Sequence, residues 1–418
     1  MNRSKRLFPG DERLCQPVPL TRRRLLGHSA AAAATAAAAM MPTTATSALA
    51  SLSGSRDPRL LVVVLRGALD GLAAVPPMGD PHYADLRGEF NLTADAVLPL
   101  DNLFALNANM PNLAQLYRQK DAAIVHAAAT SYRSRSHFDG QDILESGLPR
   151  AGGDSGWLNR ATLNLASSSR VKPPQGVAIG HAPPLIMQGE APVLTWSPQF
   201  YPHPDADTLG RILALYDDQD SGLAEVLRAG ISADASDTGE RLNLQSANKL
   251  FLREIDKTIA FFSDPDGPRI AALSSDGWDT HAGQNPVKGK LANKLSVLDK
   301  GIARMAKGLE PIWQDTVIAI VTEFGRTAAI NGTAGTDHGT GTCAFLLGGA
   351  VKGGQVFADW PGLAPKALHE GRDLAPTTHI NGVFKGILRD HFGLEAKALD
   401  GSIFPGSDTV SPLNGLVG

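Results

Sequence analysis

Short apolar runs of four to six residues recur along the chain, and stretches with helical periodicity lie between them. Leu60-Leu61-Val62-Val63-Val64-Leu65 is continuous and rich in β-branched residues, as a strand buried on both faces must be. Ala122-Ala123-Ile124-Val125, Ile270-Ala271-Ala272-Leu273, Val317-Ile318-Ala319-Ile320-Val321 and Ala344 to Leu347 read the same way. Helical patterns fall at about 111–119, 207–217, 240–263, 290–309 and 380–392. Strands alternating with helices predict an α/β fold: a doubly wound, mostly parallel sheet with helices on both faces. Residues 150–205 break the alternation with Pro, Gly and short apolar pieces, and are expected to form an insertion or cap. There is no internal repeat and no heptad run.

The composition narrows the class. A chain of 418 residues, 43% apolar and 19% charged, can bury a sizeable core. Its 43 Gly and 28 Pro are not periodic, so collagen, coiled coil and disorder are excluded. The net charge of −3 is unevenly spread. Seven of the 39 basic and two of the 42 acidic residues fall in 1–50, so that stretch carries +5 and the remainder −8. An acidic body gives no electrostatic reason to expect nucleic acid or an anionic membrane as partner.

The basic stretch reads as an address. Thr21-Arg22-Arg23-Arg24-Leu25-Leu26 is a twin-arginine pattern, followed by an alanine-rich stretch from about His28 to Met41. Ala48-Leu49-Ala50 then offers an A-x-A cleavage site. The apolar stretch is too short and too weakly apolar to span a bilayer, which takes roughly 20 residues. Residues 1–50 are therefore expected to be a twin-arginine signal peptide, and 51–418 a single domain delivered to the periplasm or secreted. The export machinery would be one partner. Cys15 leaves with the signal, so Cys343 stays alone, in what reads as a buried strand.

In such sheets ligands bind beyond the carboxyl ends of the strands. Arg66-Gly67-Ala68-Leu69-Asp70-Gly71 follows the first run. Arg133-Ser134-Arg135-Ser136-His137-Phe138-Asp139 follows the second, and Gly277-Trp278-Asp279-Thr280-His281 the third. Thr322-Glu323-Phe324-Gly325-Arg326-Thr327 follows the fourth, and Asp337-His338-Gly339 precedes the last. Asp279 and His281 share one side of an extended segment, because side chains alternate with period two. Carboxylate oxygen and imidazole nitrogen suit Zn²⁺ and related ions. Gly339-x-Gly341-x-x-Ala344 matches the dinucleotide fingerprint as text, but precedes a strand and opens no helix. There is no Walker A loop, no G-x-S-x-G elbow and no H-E-x-x-H. The remaining histidines, His126, His181, His203, His379 and His391 among them, read as structural or solvent-facing.

The five motifs, in this order, resemble a family of bacterial twin-arginine-exported proteins classed as a sulfatase-like domain of unknown function, over about 58–395. That family is similar to the alkaline phosphatase and sulfatase superfamily, which implies an alkaline phosphatase-like sandwich with a two-metal site. Carried over by position, the resemblance implies that Asp70 and Glu323 bind one metal, and that Asp279, His281 and His338 bind the second. Asp337 is a further candidate ligand. Ser136 would sit at the nucleophile position; apart from the resemblance, bidentate hydrogen bonds from Arg135, Arg133 or Arg326 would suit a clamp on ester oxygens. Glu323-Phe324 stands where the superfamily often has an Asp-His pair, so a His ligand is missing. The sulfatase maturation pattern is absent around Ser136.

The reading is a metal-dependent hydrolase of phosphate or sulfate esters acting on an anionic ester, with two divalent ions, whether Zn, Ca or Mn. The alternative is a secreted, non-catalytic binding or assembly protein that keeps the fold.

Overall fold

The structure, a computed structural model, describes residues 56–166, 175–180, 182–198, 206–219, 221–234 and 247–418. The expected export signal and its cleavage site lie outside these residues, as do His181, His203 and 240–246. The strands are β1 Arg59–Leu65, β2 Val97–Pro99, β3 Ala105–Asn107, β4 Ala122–Ala129, β5 Gly176–Ile179, β6 Val193–Trp196, β7 Ile270–Ser275, β8 Thr316–Thr322, β9 Thr342–Leu347, β10 Val356–Phe357 and β11 Thr378–His379. The helices are α1 Gly71–Ala74, α2 Tyr83–Arg87, α3 Pro111–Gln119, α4 His137–Ser146, α5 Trp157–Ala166, α6 Ala206–Gln219, α7 Ser221–Asp234, α8 Ala247–Ser263, α9 Lys290–Gly308 and α10 Ile380–Phe392.

The main sheet runs β10-β4-β9-β8-β1-β7-β5-β6, with β11 also beside β4. β1 lies at its centre because both of its faces are apolar. Leu61, Val63 and Leu65 enter one core, and Leu60, Val62 and Val64 the other. α9 covers the first face with Leu291, Leu295, Leu298 and Ile302, which recur every three or four residues, and Phe251 and Ile255 of α8 join them. α5 and α10 cover the second, where Trp157 stacks on Phe384 at 4.3 Å between ring centroids. Burying one such Leu or Ile stabilises the fold by about 1.5–3 kcal/mol. This is the doubly wound, mostly parallel sandwich that the alternation predicts.

Two details differ from the sequence pattern. The described part of 150–205 does not stand off as a cap. β5 pairs with β7 and β6 with β5, both in parallel, so the segment extends the sheet, and α5 packs into the second core. Gly176-Val177-Ala178-Ile179 and Val193-Leu194-Thr195-Trp196 lie among Pro and Gly, and neither is a continuous apolar run of the kind that marks the other strands. The second detail is that β4 runs on past Val125 through His126 to Ala129. His126 is a core histidine: its Nε2 lies 2.9 Å from the Val75 carbonyl and its ring stacks on Phe104. Burial lowers its pKa to about 4. Cys343 is buried in β9.

β9 is antiparallel to β8 and β4, whereas the other pairings in this sheet are parallel. The segment entering β9 therefore sits on the same edge as the segments leaving β1, β7 and β8. That single reversal gathers residues 323–341 beside Asp279.

Candidate metal centre

Four side chains meet at this edge. His137 opens α4, Asp279 and His281 lie in the loop after β7, and His338 lies before β9. His281 Nε2 is 3.0 Å from Asp279 Oδ1 and 2.9 Å from His338 Nε2. His338 Nε2 is 3.3 Å from Asp279 Oδ1, and His137 Nε2 is 3.4 Å from Asp279 Oδ2. Ligand atoms of His137, Asp279 and His338 all lie within 4.8 Å of one another.

Glycine lets the backbones come this close. A Cβ on Gly67, whose φ is +118°, would lie 2.4 Å from the Asp279 nitrogen. One on Gly339 would lie 2.4 Å from the Arg326 carbonyl, across the bridge that pairs Arg326 with His338. The Gly339-x-Gly341 text is thus a close-approach device and not a nucleotide fingerprint.

The outer nitrogens decide what the inner ones can do. His137 Nδ1 is 2.8 Å from Glu323 Oε1, His281 Nδ1 is 3.1 Å from Asp337 Oδ1, and His338 Nδ1 is 2.9 Å from the Arg135 carbonyl. All three partners only accept, so each Nδ1 carries the proton and donates. In neutral imidazoles every Nε2 is then a bare lone pair. In that form the Nε2 atoms of His281 and His338 would face each other 2.9 Å apart with no proton between them, and the buried Nε2 of His137 has no hydrogen-bond partner. Lone pairs converging on a carboxylate call for a cation. A histidine whose outer nitrogen donates to a carboxylate or carbonyl is the usual arrangement of a metal ligand. At roughly 2.0–2.1 Å from an ion, neighbouring ligand atoms stand about 2.9–3.4 Å apart, as they do here. The donors fit a divalent ion.

The electrostatics follow from these bonds. The Glu323 hydrogen bond holds the His137 pKa above the usual histidine value. Burial alone would raise Glu323, but bonds from His137, Gln141 and the Gly67 nitrogen hold it low. Burial also works against Asp279, and Arg326, 2.5 Å away through Nη1, overcomes it and keeps the carboxylate ionised. Desolvation lowers His338. The Asn331 amide, 3.0 Å away, is the chief cause of a low Asp337 pKa.

The residues singled out in the sequence take three different places. Asp279, His281 and His338 converge. Glu323 and Asp337 stand behind them, each holding an imidazole. Asp70 is elsewhere: its carboxylate caps α1 through the Ala73 nitrogen, pairs with buried Arg87, and accepts from Gln284 Nε2 at 2.5 Å. Arg135 ties its guanidinium to Asp373 and Glu370, so its contribution to the cluster comes through its carbonyl. Ser136 is the N-cap residue of α4, yet its side chain makes no capping bond, and its backbone nitrogen donates to the Tyr132 hydroxyl. His137 supplies the imidazole that Glu323-Phe324 lacks. It stood in the quoted run after the second strand, and Phe324 stacks on its ring at 5.0 Å. Only the fold shows that α4 turns it inward.

The chain is thus a doubly wound α/β protein with an acceptor-backed cluster of imidazoles and a carboxylate, a candidate metal site, at the carboxyl edge of its sheet. The chain belongs to the family described as "Protein of unknown function (DUF1501)", whose profile matches residues 125–403. No curated protein matches the sequence. Among solved structures it is similar to Ps i-CgsB in complex with k-i-k-neocarrahexaose, at 14% identity over 86% of this chain and 78% of that one, TM-score 0.43. It is also similar to the phosphonate monoester hydrolase of Agrobacterium radiobacter, at 13% identity over 81% and 74%, TM-score 0.38. A third is a protein in the alkaline phosphatase superfamily from Vibrio parahaemolyticus, at 12% identity over 71% and 60%, TM-score 0.33. No described helix is long and apolar enough to cross a membrane.

Proposed function

We propose that this protein is an exported, metal-dependent hydrolase of phosphate or sulfate esters, working in the periplasm or outside the cell with one divalent ion. The observation that carries the reading is the set of three Nε2 atoms turned on Asp279, each imidazole fixed by an acceptor at Nδ1. A donor set of three nitrogens and a carboxylate suits Zn²⁺ or a related transition ion better than Ca²⁺, which takes oxygen ligands. One ion is favoured over two because the other expected pair is committed: Asp70 to Arg87 and Gln284, Glu323 to His137, Gln141 and Gly67.

When bound, the ion supplies positive charge against an anionic ester and its leaving oxygen. The chain's own residues do the rest. Glu323 holds the Nδ1 proton of His137, and Arg326 fixes Asp279. Ser136, next to His137, presents an Oγ that the helix does not use as a cap, and it is the nucleophile in this reading. The twin-arginine pattern at Arg22-Arg23 supports export.

Elemental analysis of the purified protein tests the ion, with about one per chain expected. None would end the metal reading, and two would reopen the Asp70 and Glu323 pair. Phosphate mono- and diesters and aryl sulfates, assayed with added Zn²⁺ or Mn²⁺, test the chemistry. Hydrolysis that survives Ser136→Ala would remove Ser136 as nucleophile.

A further inference from the structure

A cleft of about 360 Å³ opens at the carboxyl ends of β1, β5 and β7, the sheet edge that also carries the imidazole cluster. That is within the range of small-molecule sites. Glu254 of α8 lines it and is 6% exposed. Among the described residues its carboxyl meets no hydrogen-bond donor and no cation. Burial, with Asp276 nearby, raises its pKa to about 8. At neutral pH it is therefore an uncharged carboxyl with an unmet O–H and an unmet carbonyl, turned to a cleft.

The rest of the lining limits what could pair with it. Arg66 is matched by Glu145 at 2.5 Å, and Lys294, whose Nζ donates to the Asp276 carbonyl at 2.5 Å, balances the Asp276 carboxylate. The cleft therefore has no net charge to offer an ion. Leu250, Phe251 and Pro184 give it apolar walls. An uncharged group with several hydroxyls satisfies all of this: hydroxyls both donate to and accept from Glu254, and C–H faces lie on the walls.

A hydrogen-bond relay joins the wall of the cleft to the cluster. Arg66 Nη1 donates to Gln141 Oε1 at 2.6 Å, and Gln141 Nε2 donates at 3.0 Å to the Glu323 oxygen that holds His137. Asp276 precedes Asp279 by three residues, at most about 11 Å of extended chain.

We propose that this cleft binds the uncharged alcohol part of the substrate, a polyol the size of a sugar ring, with its ester group toward the imidazole cluster. The ester placement rests on the hydrolase reading above. The polyol site does not, and binding tests it alone. The probe is methyl α-glucoside, followed by ligand-observed NMR, with cyclohexanol and ethylammonium as competitors, on wild type and on His281→Ala. Equal binding to both proteins is expected. Glu254→Leu and Leu250→Trp should each weaken it about tenfold or more, while Glu254→Gln, still able to donate and accept, stays within about threefold. A single cooperative unfolding transition certifies that each variant folds. No saturable binding, binding indifferent to both Glu254→Leu and Leu250→Trp, or stronger binding of ethylammonium or cyclohexanol would overturn the proposal. Glucoside binding in a protein that hydrolyses no ester upholds the cleft and removes only the hydrolase reading.

Discussion

Two polar groups lie close together at the carboxyl edge of the sheet, each centred on an aspartate and opposite in character. Asp70, Arg87 and Gln284 form the closed one. Each Asp70 oxygen has a donor, and Arg87 reaches the Thr327 and Ala328 carbonyls as well. Its Nε alone lacks a partner. His137, Asp279, His281 and His338 form the open one, in which the outer atoms are satisfied and the inner ones face each other bare. The two are joined: Gln284 Oε1 accepts from Thr336 Oγ1, which accepts from Arg326 Nε, and Arg326 holds Asp279. The difference teaches that residue type does not mark a metal ligand. What marks it is a lone pair that the protein leaves unmet.

Breaking the closed group should have the largest effect. Asp70→Ala strands Arg87 as a buried, uncompensated charge, and should cost about 3–5 kcal/mol in denaturant unfolding while the folded fraction keeps its metal. Lost metal with unchanged stability would instead make Asp70 a ligand. In the open group the dependence is on the ion. His281→Ala should lose metal, and with the ion present at about 100 times its dissociation constant should be less stable than wild type by about 2.7 kcal/mol. Chelator should erase that gap, because the ion stabilises only the folded state.

Acid sharpens the contrast in metal-free protein. His126 and His391 are held near pKa 4 by burial, against about 6.5 when unfolded. Their stability contribution is whole above pH 6.5 and is lost as pH falls toward 4, at about 1–3 kcal/mol each, measurable as a falling denaturation midpoint. Glu323→Gln loosens the hold on His137 and should weaken metal affinity about 10- to 100-fold in competition titrations, with little change in the stripped protein's stability. The smallest effect belongs to Ser136→Ala. A capping serine is worth about 0.5–2 kcal/mol, but this side chain caps nothing, so unfolding should shift by less than about 0.5 kcal/mol while ester hydrolysis disappears.

The sequence by itself determined the sandwich and the edge on which chemistry gathers. Runs such as Leu60 to Leu65 are apolar at every position, and only burial on both faces accommodates that; helical spacing such as Leu291, Leu295, Leu298 and Ile302 states which elements cover them. It also marked Asp279, His281 and His338, because period-two spacing and strand ends are local properties. It did not determine that β5 and β6 extend the sheet, since Gly176 opens one, Thr195 interrupts the other, and prolines flank both. Tertiary structure alone decided the partners. Asp70 and Asp279 are the same residue type, each after a strand at the same edge, and they part only because Arg87 arrives from α2 at one and three imidazoles arrive at the other. His137 reaches the centre because α4 follows β4 and β9 runs antiparallel. Those meetings join residues up to some two hundred positions apart, and a local pattern carries no term for which distant donor will find which acceptor.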